Sequence, residues 1–201
     1  MLNIITIILF SFFPISFILG NPTINLNIFF IDFLLLYNCY ILKDWDWLKD
    51  KIFRLLIIFN FYLITNSIVF HYLTGYSNYD GLVRSFGFIK YIFLAYAFRL
   101  LIKDKIDLDK IIKNWLIIIG IVIIDVLFEK VFGHNILGNV SPDATRVVSF
   151  FNGELVVGGL ILCFGFVIAT YFLDKNLDFK SKVFFNAFLI FIPLSIFISG
   201  E

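Results

Sequence analysis

The sequence predicts an all-α, polytopic membrane protein of about seven transmembrane helices with its N-terminus in the cytoplasm. Three observations predict it. Hydrophobic residues make up 61% of the 201 and charged residues 15%, and the mean hydropathy is +0.96. The core of a soluble domain this size cannot hide so much apolar surface, because burial grows slowly with chain length. The apolar residues also fall into runs long enough to span about 30 Å of hydrocarbon at ~1.5 Å per residue. Finally, the basic residues cluster between alternate runs, as the positive-inside rule requires.

The runs are Leu2–Leu19, Ile24–Leu42, Ile52–Phe70, Leu82–Ile102, Trp115–Phe132, Leu155–Phe172 and Val183–Ser199. The first lacks the basic start and small-residue cleavage site of a signal peptide. Gly20-Asn21-Pro22 separates it from the second, so the two read as a tight helical hairpin. Three connecting regions carry Lys43, Lys49, Lys51 and Arg54; Arg99, Lys103, Lys105, Lys110 and Lys113; and Lys175, Lys180 and Lys182. Together these are 12 of the 16 basic residues. The bias places the N-terminus inside, and His71–Gly81, Gly133–Glu154 and the chain end outside. Trp45, Trp47 and Trp115 fall at the inner boundary, where indoles commonly sit. The chain reads as a single transmembrane helical domain, 1–201.

Composition also excludes functions. A net charge of +1 with no basic stripe gives no nucleic-acid partner. Cys39 and Cys163 lie inside separate apolar runs, where cysteine is a small packing residue. His71 and His134 lie on separate loops, so no metal site forms. His134 reads as a turn histidine facing solvent rather than a general base.

Some charges stand where lipid would reject them. Asp32, Lys90, Asp125 and Glu129 lie within spans and Arg84 at the outer edge of the fourth, and a charge at the bilayer centre costs about 2.5–3.5 kcal/mol. Lys90 and Asp125 both count to about 10–12 Å below the outer surface, which predicts that they face each other, with Asp32 as the rival partner of Lys90. Asp125 and Glu129 are four residues apart and share a helix face. These charges either tie helices together or line an outward-opening polar cleft for an anionic head group, with Arg84 and Lys90 as candidate binding residues. Those two are about 120° apart on an ideal helix, so one anion cannot easily engage both.

Between Asp125 and Gly159 the order of residues becomes specific. An apolar helix ends in Gly133-His134-Asn135-Ile136-Leu137-Gly138. Then come Arg146, Ser149, Phe151, Glu154 and Gly158, and the chain closes on Ser199-Gly200-Glu201. This arrangement resembles the O-antigen polymerase and ligase family, in which a "G-x-x-(I/L)-x-G" turn precedes an arginine and then a small residue, Phe, an acidic or Asn position and Gly. Ser149 stands where many members have glycine. A subgroup carries "S/T-G-E-R" after the following span. The resemblance covers mainly Asp125–Glu201.

The resemblance implies a glycosyltransferase of the bacterial inner membrane that uses undecaprenyl-diphosphate-linked glycan as donor, membrane lipid as its setting, and a glycan or lipid as acceptor, with no cofactor. Arg146 and Glu154 take the catalytic positions, and Gly158 lets the lipid or a neighbouring helix approach. Members continue with further spans and a histidine-bearing outer loop, so the chain is expected to be the N-terminal portion of a longer protein. Without the resemblance Arg146 reads as a loop residue bridging to Glu154 or Glu129. The alternative function is a transporter or flippase component with a charged path, for which paired broken helices would be the sign.

Overall fold

A computed structural model describes residues 2–74, 80–102, 104–143, 145–151, 156–173, 175 and 178–200. It is all-helical, with no strand among the described residues. The helices are α1 (Leu2–Ser11), α2 (Phe13–Ile18), α3 (Asn21–Leu42), α4 (Lys51–Thr74), α5 (Asp80–Gly87), α6 (Ile89–Leu101), α7 (Lys105–Phe132), α8 (Val157–Leu173) and α9 (Phe179–Ser199), with one 3-10 turn at Asp46–Lys49.

Among the described residues, five helical stretches are long and apolar enough to cross a membrane: Asn21–Leu42, Lys51–Leu73, Asp80–Leu101, Lys105–Phe132 and Phe179–Ser199. Two of the expected runs fall short of that. The first is interrupted at Phe12, and Pro14 stands at the start of α2, where its missing N–H and its ring end the ladder of the preceding turn. The sixth begins only at Val157 and is 17 residues long, about 25 Å. The break between α5 and α6 is slighter: Phe88 keeps right-handed helical dihedrals, so the pair continues as one stretch. The first two runs are separated at Gly20, whose φ of 94° is a conformation a β-carbon resists. α7 begins ten residues before its apolar run, because backbone hydrogen bonding continues through Asp107, Asp109, Lys110 and Lys113 after hydropathy falls.

The chain divides into two compact units, one from residues up to Thr6 with Asn25–Lys105, the other from Ile7–Ile24 with residues from Ile106 onward. In the first, Ile28, Ile31 and Leu35 of α3 are fully buried. α4 and α5 are joined by polar groups: Asn60 Nδ2 donates to the Ser85 carbonyl at 2.8 Å, and the Ser67 and Ser85 hydroxyls meet at 2.5 Å. Trp47 is buried against Phe53, Phe93 and Tyr96. Asp50 accepts the Ile52 N–H at 3.0 Å and the Arg99 guanidinium at 2.8 Å. The Ile52 bond, and then Arg99, hold its carboxyl below the usual carboxylate range.

In the second unit Trp115 is likewise interior. Its indole N–H donates to the Phe10 carbonyl at 2.7 Å, and its ring meets Phe164 edge-on. α8 and α9 pack closely at Gly165, where a Cβ would stand 3.0 Å from Ile192 Cδ1. Gly165→Leu is therefore expected to destabilise this unit by about 1–3 kcal/mol through overpacking, read as a lowered unfolding midpoint in detergent. Ile192→Ala in the same background should recover part of the loss.

Phe29, Phe61, Phe166 and Phe197 are among many large apolar side chains left exposed. Their extent far exceeds what a water-soluble surface carries. They suit lipid.

Candidate functional site

The C-terminal turns of α7 are an unfavourable place for acids, since the helix macrodipole is negative there. Yet Asp125 is 0% exposed and Glu129 4%. The reason is the loop they hold. Asp125 Oδ1 accepts the Ile136 N–H at 2.7 Å and its Oδ2 accepts the Ser149 hydroxyl at 2.5 Å. Glu129 Oε2 accepts the Ser149 N–H at 2.6 Å and Oε1 the Val148 N–H at 3.3 Å. Every carboxyl oxygen has a donor, which is the condition for burying such groups. Three of the four donors are backbone.

Asn135, also 0% exposed, completes the clamp. Its Nδ2 donates to the Ser149 carbonyl at 2.6 Å, and its Oδ1 accepts the Asn139 N–H at 2.8 Å. Gly133 at φ 76° caps α7 and Gly138 at φ 85° closes the following turn. Ser149 itself sits at φ 50°, a left-handed conformation that costs a non-glycine residue about 1–2 kcal/mol. Its hydroxyl bond to a buried carboxyl, worth about 1.5–3 kcal/mol, offsets that strain. Ser149→Gly should accordingly lower stability by no more than about 1–2 kcal/mol, the lost bond narrowly outweighing the relieved backbone.

The far end of α9 closes the loop from a third side. The Val147 N–H points to the Ser199 carbonyl at 3.5 Å, and a Cβ on Gly200 would stand 3.1 Å from Arg146 Cγ. Gly200 is left-handed, with its N–H bonded to the Phe197 carbonyl. The last carbonyls of α9 are thus served by its own glycine and by the loop.

Arg146 is half-buried by its stem, and its guanidinium forms no ion pair with a described residue. The expected bridge to Glu129 does not form, because Glu129 is committed to backbone N–H groups. Glu154 lies outside the described residues. Asp143 precedes Arg146 in a turn, where the Thr145 N–H and hydroxyl bond its carboxyl at 2.9 and 2.7 Å. Those bonds, with a smaller contribution from Arg146, keep it below the usual carboxylate range. Gly158 is buried in the first turn of α8. His134 is exposed, as expected, against the rings of Phe128 and Phe132.

Lys90 and Asp125, the expected pair, belong to different units. Asp125 is satisfied by Ile136 and Ser149, and the Lys90 ammonium donates to Asn25 Oδ1 at 2.5 Å. Lys90 and Asp32, the rival pair, share the first unit but form no ion pair among those of the described residues. Arg84 is exposed on α5. Arg84, Lys90 and Asp32 belong to the first unit, and Asp125, Glu129, Arg146 and Gly158 to the second.

Sequence reasoning missed Asn135 and read Ser149 only as a departure from glycine. The signal available was the cluster of hydrogen-bonding residues flanking two acids that lacked a nearby cation. Among the described residues no group of His, Cys, Asp and Glu is placed to hold a metal.

The class these features define is an all-helical protein whose apolar helices can cross a membrane, carrying a loop braced on buried acids. No family model, curated protein or solved structure matches the chain.

Proposed function

We propose that the protein is a glycosyltransferase of the O-antigen polymerase and ligase type, acting on undecaprenyl-diphosphate-linked glycan at the outer face of the bacterial inner membrane. Arg146 binds the diphosphate of the donor, and a hydroxyl of the acceptor glycan or lipid attacks the anomeric carbon as the bond to diphosphate breaks. A planar guanidinium suits that task, because it offers two parallel charge-assisted hydrogen bonds and stays charged at any working pH. Charge growing on the leaving diphosphate is stabilised by a donor already in place.

The observation that carries this reading is the contrast between loop and side chain. Two acids, an asparagine and a helix end fix the backbone around Arg146, while its guanidinium forms no ion pair with a described residue and acts on Asp143 only through its charge. Position 149 adds support. It is left-handed, the conformation that glycine, common there in the family, adopts freely. Glu154 completes the proposed pair, by orienting Arg146 or binding acceptor hydroxyls. Gly158 serves the lipid-linked substrate beside Arg146, and Arg84 and Lys90 are candidate binding residues of the other unit.

The reading includes seven spans, with the two shorter helical runs crossing alongside the five long ones and the N-terminus inside. Reporter fusions at Lys110 and Asp143 should then report opposite sides of the membrane. A shared side would overturn this topology. Transport remains the alternative reading, but the breaks at Phe12 and Phe88 both keep right-handed helical dihedrals rather than the unwound backbone of transporter sites.

A further inference from the structure

At the other end of α7 the second unit holds a cavity of about 500 Å³. Asp109, Lys113 and Leu116 enter it from one face of α7, Phe172 and Lys175 from the end of α8, and Lys180, Ser181, Phe184 and Phe185 from the start of α9. Asp109 sits between two of the lysines. Its Oδ2 is 2.8 Å from Lys113 Nζ, and its Oδ1 accepts from Lys175 Nζ and, at 3.2 Å, from the Tyr171 hydroxyl. Among the described lining residues three ammonium groups thus face one carboxylate, an excess of two positive charges. A lock between helix ends would need only one cation for that acid.

We propose that this cavity binds the head group of an anionic phospholipid. Asp109 and Glu129 lie twenty residues apart on α7, about 30 Å, the thickness of the hydrocarbon core. With the Glu129 loop at one boundary, the lysines fall at the opposite head-group level. The aromatic wall of Phe172, Phe184 and Phe185 with Leu116 then leads back toward the acyl chains. A phosphodiester with two chains satisfies both parts of the cavity. A soluble anion gains nothing from the aromatic wall. Basic pockets between helix ends bind such head groups by the same electrostatics, each lysine near the lipid surface favouring an anionic lipid about fivefold.

The test uses the full chain in phosphatidylcholine vesicles carrying spin-labelled phosphatidylglycerol or, separately, spin-labelled phosphatidylcholine. The motionally restricted fraction gives the selectivity between the two. Wild type should select phosphatidylglycerol, and Lys180→Gln should lower that selectivity about fivefold. Lys113→Gln should lower it further. Lys182→Gln removes the same charge from the same helix start without touching the cavity, and should change nothing. Lys180→Arg keeps the charge and should keep the selectivity, which separates binding from folding. Absence of selectivity in wild type, or an equal loss in Lys182→Gln, overturns the site. Displacement of the label by inorganic phosphate at constant ionic strength shows a free-anion site and overturns the lipid.

Discussion

Replacing Arg146 with lysine is expected to leave the protein folded and to lower glycan transfer about 10²-fold or more, the scale seen when one preorganised donor to a developing anion is removed. Arg146 packs by its stem against Gly200, and lysine can supply that stem and a positive charge. It cannot supply the planar fork that meets two phosphate oxygens at once. The loss should therefore fall on the rate of transfer more than on donor binding, because a point charge still attracts diphosphate while failing to track charge as it shifts to the leaving oxygens. The measurement is the chain-length distribution and rate of transfer by the complete gene product at matched membrane levels. Arg146→Ala with unchanged activity would remove this residue from the site and, with it, the main support for the glycosyltransferase reading.

How far the sequence foretold this arrangement depends on which force set each feature. Helix type and most helix positions were legible, since long apolar runs record a requirement of lipid on every residue they contain. Helix ends were less so. α7 extends through charged residues to Lys105 because hydrogen bonding, which hydropathy does not record, carries it there. The first run is mostly apolar yet breaks at Phe12, because proline acts on the backbone rather than on polarity. The partners that the intramembrane charges find inside their own units were hidden for a related reason. Depth alone matched Lys90 to Asp125, as though an acid in lipid needs a cation. Within its own unit Asp125 finds the Ile136 N–H 11 residues and the Ser149 hydroxyl 24 residues downstream, and Lys90 finds the amide of Asn25. Amides and backbone donors leave almost no mark in a sequence. Only the positions of Asn135 and Ser149 hinted at them, and neither means anything until α7 and its loop are brought together.

That loop carries the last expected result. Glu129→Ala should destabilise the second unit by about 2–5 kcal/mol, because it strands the Val148 and Ser149 N–H groups in a buried site, each at about 1–3 kcal/mol. Asp125→Ala strands the Ile136 N–H and the Ser149 hydroxyl and should cost a similar amount. The two acids meet at Ser149, however, one through its backbone and one through its side chain. Once either is gone the loop can turn its polar groups toward water, and the second substitution has less left to disrupt. The double variant should therefore cost less than the sum, with a coupling of about 0.5–3 kcal/mol, as expected for residues in one network. Unfolding midpoints of the four proteins in the same detergent give that number. Independent costs that simply add would mean that the two acids hold separate structures. A positioning role for Arg146 makes a further demand that stability alone does not. Glu129→Gln keeps an acceptor for one of the two N–H groups and should remain folded, yet it should lose transfer activity in proportion to how far the Arg146 loop is displaced. In the Arg146→Ala background the same substitution should change transfer no further, because an acid that acts by placing the guanidinium has nothing left to place.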